Sequence, residues 1–360
     1  MNIKTIELTS FRGYEQLALS FEKGLNVLVG ENGAGKTNLA EAISFLSLAR
    51  SFRTNDDKEL KKEGAPFAKL TGRFNAAKKN LQVEMILSSK GKKIRINGHD
   101  VQKLSELVSQ CHVITFQPKD TFLFDYAPSE RRRVMNVEIS RKSPQYLSDL
   151  NRYEKILMER NNLLKAEHVN FMQLEVLTDL LIDISERLEQ KRQAFFQELE
   201  PALQEVYRRI SLTPKPITLK YQAYVPLQNF KEHAKEAFSK ALESDLRYRM
   251  TTIGSHRVDF TCELNGREIS SSGSQGEKRL VALMLKLAFY QMVKEEDNKP
   301  ILILDDVLSE LDEEHQRNLL HEVAKYEQVI LTTTDWKKEE KATIYDVVHH
   351  KVTRRNTYGR

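Results

Sequence analysis

The sequence predicts an α/β fold whose main sheet is shared between the two ends of the chain, with a helical lobe inserted between the halves. Three observations carry that expectation. Gly30-Glu31-Asn32-Gly33-Ala34-Gly35-Lys36-Thr37 is a glycine-rich turn between an apolar strand and a helical stretch. Ile301-Leu302-Ile303-Leu304 is a fully apolar run ending in Asp305-Asp306. Between them, residues 129–210 carry apolar positions at helical spacing.

Composition sets the frame. At roughly 150 residues per domain, 360 residues predict two or three lobes, and 40% hydrophobic with 30% charged residues is a soluble, globular balance. The net charge of +5 is too small to establish a polyanionic partner, so the distribution of charge has to decide. Cys111 and Cys262 are too few and too distant for a disulfide framework or a four-thiolate zinc site, which predicts a reducing, cytoplasmic setting. No run approaches 18 apolar residues, and Met1 to Leu8 alternates, so neither a membrane span nor an export signal is expected.

The elements follow in order. Residues 3–8, 17–21 and 25–29 read as strands; from Thr37, Leu39, Ile43 and Leu46 change the period to that of a helix. Residues 65–120 return to short strands with turns at Lys90-Gly91 and Asn97-Gly98, the second a strong hairpin signal. From Arg50 to Leu104 there are 14 Lys or Arg against 6 Asp or Glu, an excess of +8 that includes Lys78, Lys79, Lys90, Lys92, Lys93 and Arg95. That cluster fits phosphate contacts, and equally a solvated basic face. The arm at 129–210 should end or kink at Pro201, with Pro214, Pro216 and Pro226 on a non-helical return path. A strand near 258–264, a Ser/Gly loop at 270–276, a helix at 277–294 and strands at 301–304 and 329–332 complete the chain. The expected division is 1–128 and 246–360 for the two parts of the head, and 129–245 for the arm and its return.

Glycines in residues 30–37 let backbone N–H groups turn inward around phosphates, and the helix that follows points its positive end at them. Gly30 to Asn38 are the candidate nucleotide-binding residues: Lys36 reaches the β and γ phosphates of ATP, and the Thr37 hydroxyl meets Mg²⁺. Asp305, delivered by its strand, is the second Mg²⁺ partner, and Asp306 the candidate base for the attacking water. Alone, the run 301–306 reads as a strand entering a turn; the loop at 30–37 favours the nucleotide reading.

A head split around a protruding helical lobe resembles the ABC/SMC-like P-loop ATPases. Ser271-Ser272-Gly273-Ser274-Gln275-Gly276-Glu277 resembles the signature loop of that class, read alone a flexible linker. The resemblance implies that Ser272, Gly273 and Gln275 cover the γ-phosphate held by a second copy, giving an ATP-dependent homodimer. It places Gln117 where it senses Mg²⁺ and the water, and Ser309 to Asp312 where the subunits couple. Their plain readings are a strand-end polar residue and a helix cap. Thr332, Thr333, Thr334 and Asp335 stand where transporters carry a switch histidine.

Over nearly its whole length the chain resembles the RecF family, on Ser10-Phe11-Arg12-Gly13-Tyr14, Pro128-Ser129-Glu130-Arg131-Arg132-Arg133, Gly254-Ser255-His256-Arg257 and the run from Asp305 to Asp312. Ser255 and Val258 depart from the family pattern, and Asp306 replaces the Glu of many ABC ATPases, which predicts slow turnover. The resemblance implies ATP-dependent binding of double-stranded DNA near single-strand/duplex junctions, slow DNA-stimulated hydrolysis, and work with RecR and RecO to load RecA at gaps. The alternatives are the nucleotide-binding subunit of an ABC transporter, which the extended lobe and missing histidine oppose, and a P-loop small-molecule kinase, which leaves loop and arm unexplained. A protein holding ATP as a structural ligand is a third reading.

Overall fold

The computed structural model describes residues 1–76, 79–108, 110–293, 299–337 and 340–355. They divide into two compact units, one of residues 1–121, 205–214 and 275–360, the other of 122–204 and 215–274.

The first unit holds two sheets. Strands β1 (Asn2–Phe11), β2 (Tyr14–Ser20), β4 (Phe67–Ala76), β5 (Lys79–Ser88), β6 (Gly91–Ile96) and β7 (His99–Asp100) form an antiparallel sheet in the order β2-β1-β4-β5-β6-β7. The β6–β7 hairpin turns at Asn97-Gly98, both with positive φ (50° and 84°), the backbone this dipeptide favours.

The second sheet runs β15-β14-β3-β13-β12-β8, from β3 (Gly24–Val29), β8 (Val113–Phe116), β12 (Ile301–Asp305), β13 (Gln328–Thr333), β14 (Thr343–Val348) and β15 (Lys351–Arg354). Five of these strands are parallel; β15 returns antiparallel beside β14. The chain's opening and closing segments thus share one sheet. Gln328 stitches it to β1: its amide accepts from Ile3 N–H (2.7 Å) and donates to Ile3 O (2.9 Å).

Helix α1 (Lys36–Leu48) joins the core that both sheets share, and it is buried almost all round rather than on the one expected face. Ser44, Ser47 and Glu41 are buried with the apolar residues. After α2 (Leu104–Val108) and the second unit's helices, α8 (Gln275–Gln291) is buried from Leu280 to Tyr290, and α9 (Glu313–Val323) begins on Asp312. Helix α8 starts two residues before the expected 277; residue 294, its expected end, lies outside the described residues.

The arm is three helices, α3 (Pro128–Lys142), α4 (Pro144–Leu164) and α5 (Phe171–Ile210), which belong to the second unit up to residue 204. Ser143 ends the first and caps the next, its hydroxyl accepting from Tyr146 N–H at 3.2 Å, with Pro144 at the first helical position. Pro201 does not end α5, which continues to Ile210. Proline removes one N–H from the ladder, while Leu199, Leu203 and Val206 remain buried and favour continuation. Strands β9 (Ile217–Gln222), β10 (Asp259–Leu264) and β11 (Arg267–Glu268) form a small antiparallel sheet, with α6 (Phe230–Tyr248) between β9 and β10. Because β10 pairs with β9, residues 246–274 pack with this unit rather than rejoining the head at 246.

Two ion pairs are fully buried in that unit. Arg160 meets Asp245 (2.7 Å), and Arg192 meets Glu189 (3.0 Å) while donating to Ser255 O (2.8 Å). They tie the segment around Gly254-Ser255-His256-Arg257 to α4, α5 and α6. Among the described residues, no helix is long and apolar enough to cross a membrane.

Candidate active site at the carboxyl ends of the parallel strands

Strand register assembles the site. Val29 is level with Thr333, Thr332 with Asp305, and Leu304 with Phe116, so β3, β13, β12 and β8 end on one edge. In an open parallel sheet that edge is where ligands bind. The glycine-rich loop leaves β3 there, Asp305 closes β12, and Gln117 follows β8.

The loop's shape depends on its glycines. Gly33 and Gly35 have φ of 82° and 115°, conformations costly for any residue with a Cβ. Lys36, 7% exposed, folds across the loop and donates from Nζ to Gly30 O (2.6 Å) and Glu31 O (2.9 Å). Burial pulls its ammonium below the ordinary lysine range, opposed by the nearby charges of Asp306 and Asp305.

Asp305 is 2% exposed. One oxygen, Oδ1, accepts from the Thr37 hydroxyl at 3.0 Å and from the Thr332 hydroxyl at 2.7 Å. Burial raises its carboxyl above the usual range, and those two hydrogen bonds oppose the rise. Asp306 takes a left-handed backbone (φ 52°), and its N–H donates to Thr332 Oγ1 at 3.0 Å. Hydroxyl and carboxylate oxygens suit a hard cation such as Mg²⁺, and a lysine within inward-turned amides suits phosphates, so these residues fit both groups.

The structure therefore gathers Gly30, Glu31, Asn32, Gly33, Ala34, Gly35, Lys36, Thr37, Asn38, Gln117, Asp305 and Asp306 in the first unit. Gln117 is buried, and its N–H donates to Asp120 Oδ2 at 3.0 Å. Asp312 caps α9, accepting from Glu314 and His315 N–H at 3.1 and 2.9 Å. Ser272 closes the one-turn helix α7 (Ile269–Ser272) of the second unit. It is exposed, and its hydroxyl donates to Glu268 O at 2.7 Å. Gly273 follows where a Cβ would lie 2.7 Å from Ile269 O, and Gln275, exposed, opens α8.

Sequence reasoning missed two parts. Thr332 was set apart only as a non-histidine, although its place at the end of an apolar strand is a usable signal. The buried Glu41 receives Arg12 through Nε (2.9 Å) and Nη2 (2.8 Å), with Arg53 3.6 Å away. A glutamate on a helix pattern gives no such warning.

Part of the basic segment is paired: Lys69 with Glu84, Arg73 with Glu7, Lys92 with Asp57, Lys93 with Asp100, and Arg95 with both Glu84 and Asp100. Two carboxylates, Glu84 and Asp100, serve three cations, Lys69, Lys93 and Arg95, leaving a positive surplus. Lys78 and the side chain of Lys79 lie outside the described residues.

The family model for the RecF/RecN/SMC N terminal domain matches residues 2–356. The DNA replication and repair protein RecF of Bacillus subtilis is 41% identical over 345 residues, spanning 93% of this chain and 93% of its own. The chain belongs to the RecF family. RecF of Halalkalibacterium halodurans is 39% identical over 362 residues, covering 96% of this chain and 98% of its own. Among solved structures, the recombination mediator protein RecF-ATP in RecFOR pathway superposes with a TM-score of 0.91 at 29% identity, over 98% of this chain and 97% of that one. The Smc head domain from Pyrococcus furiosus, at 18% identity and a TM-score of 0.56 over 98% of this chain and 96% of that one, shares the fold. This RecF-family chain is an ABC/SMC-like α/β head carrying an inserted helical lobe, and the transporter and kinase alternatives give way.

Proposed function

We propose that this chain is an ATP-dependent DNA-binding protein of recombinational gap repair and replication-fork maintenance. The observation that carries the reading is the convergence on Asp305 Oδ1 of the Thr37 and Thr332 hydroxyls, from helix α1 and strand β13, which meet only when both chain ends fold together. The relatives named for DNA replication and repair, and the RecF-ATP structure of the RecFOR pathway, support it.

In this reading Lys36 leaves the Gly30 and Glu31 carbonyls for the β and γ phosphates of ATP. Thr37 and Asp305 hold Mg²⁺, with Gln117 beside them, and the ion neutralises phosphate charge when bound. Asp306 orients the attacking water and accepts its proton. Ser272, Gly273 and Gln275 of a second copy cover the γ-phosphate, making a two-fold dimer with two nucleotides between the subunits. Pairing joins the basic surfaces into a clamp on double-stranded DNA near single-strand/duplex junctions, with phosphates contacted and bases unread. Slow hydrolysis, stimulated by DNA, releases the clamp, and RecR and RecO join in loading RecA.

Light scattering with ATP, Mg²⁺ and duplex DNA tests this on wild type, Lys36→Met and Ser272→Arg. Wild type should double in mass with ATP and retain DNA. Lys36→Met should bind no nucleotide, while Ser272→Arg should bind nucleotide and remain single. A wild type that stays monomeric in a non-hydrolysable analogue yet turns over ATP at its normal rate refutes the shared site.

A further inference from the structure

The hairpin of β14 and β15 meets the phosphate loop at three points. An added Cβ at Gly30 would lie 2.2 Å from the Val347 carbonyl oxygen, so the loop begins directly against the β14 backbone. The His350 N–H donates to Ala34 O at 2.9 Å. At Gly35, a Cβ would come within 2.7 Å of the His350 ring.

The same imidazole fills the notch left by Gly13, where a Cβ would stand 2.0 Å from Nε2. Tyr14 closes the enclosure, its ring edge-on to His350 at 5.2 Å and its hydroxyl donating to Gly35 O at 3.1 Å. Nε2 also lies 3.4 Å from Nδ2 of Asn38, in the first turn of α1. His349 and His350 have φ of 47° and 60°, a left-handed pair for which glycine would serve the backbone better.

We infer that His350 is a positioning residue of the nucleotide site, holding the phosphate loop in its binding shape from behind. The inference rests on the nucleotide reading of residues 30–37. In a trans peptide the carbonyl and the following N–H point opposite ways. With the Ala34 and Gly35 carbonyls held outward by His350 N–H and the Tyr14 hydroxyl, the N–H groups of Gly35 and Lys36 face the other side. That is where phosphates would sit. The ring prevents the peptides from rotating back, so the order is present before nucleotide arrives.

His350→Gly separates the ring from the backbone: it relieves the left-handed φ, keeps the N–H bond to Ala34 and empties the notch. The melting temperature should be unchanged or higher. The Kd for a fluorescent ATP analogue with Mg²⁺ should rise about tenfold, as expected if the competent loop population falls to about one-tenth. Amide exchange at residues 33–36 of the nucleotide-free chain should quicken. Gly13→Ala, which displaces the ring, should weaken binding similarly, and the double variant, whose new Cβ refills the notch, should bind better than Gly13→Ala alone. Wild-type affinity and exchange in His350→Gly overturn the inference, as do additive losses in the double variant should the single variant melt early. A wild type that binds no analogue overturns the nucleotide reading instead, and the exchange arm still tests positioning.

Discussion

Acidification should loosen the second unit through His256, and the size of the effect can be worked out. Its Nδ1 is 2.8 Å from the Tyr153 hydroxyl and its Nε2 3.0 Å from Thr251 O. Both contacts are satisfied by a neutral ring that donates from Nε2 and accepts at Nδ1. Burial drives the imidazole from 6.5 down to about 4; the Thr251 bond opposes this, and Arg257 and Arg132 add to it. The folded chain thus binds the proton less readily than the unfolded chain, so the contribution is intact above pH 6.5 and is lost as pH falls towards 4. Between pH 7 and 5 the loss is about 2 kcal/mol. Opening free energies from amide exchange in α4 and β10, measured at both pH values in wild type and His256→Gln, give the assay. The advantage of wild type over the variant should shrink by about 2 kcal/mol. An advantage that stays constant within about 0.5 kcal/mol would refute the buried neutral imidazole.

Two further outcomes follow from the head. Glu41→Ala leaves Arg12, only 15% exposed, without its carboxylate, and should cost about 3 kcal/mol in urea unfolding, with nucleotide affinity falling as residues 50–54 lose their anchor. Gly30→Ala forces the loop away from Val347 O and should cost about 2 kcal/mol while abolishing binding of the fluorescent ATP analogue; unchanged melting and affinity would contradict the close approach.

Much of the site was legible because its pieces are local. A glycine-rich turn after an apolar strand specifies its own backbone, and an apolar run ending in Asp305 specifies a buried strand that delivers a carboxylate. Amphipathic spacing revealed the arm to its end near Ile210; Pro201 does not end it, because one lost N–H is outweighed by a buried helix face that continues for nine more residues. The charge count of the basic segment shows its sign but not its pairing, since partners such as Glu7 arrive from another strand.

By itself, the sequence determined the helical arm and the strands that carry the site, though not α6 or the β14–β15 hairpin, together with the loop at 30–37, the acidic strand end and the family resemblance, since each is a pattern within a short window of chain. Only the tertiary structure decided that Thr332 shares Asp305 with Thr37, that Glu41 is buried under Arg12, and that His350 occupies the space Gly13 and Gly35 leave. Those contacts join residues tens to hundreds of positions apart. Spacing along the chain carries no trace of them, because register and packing arise only when the two ends form one sheet.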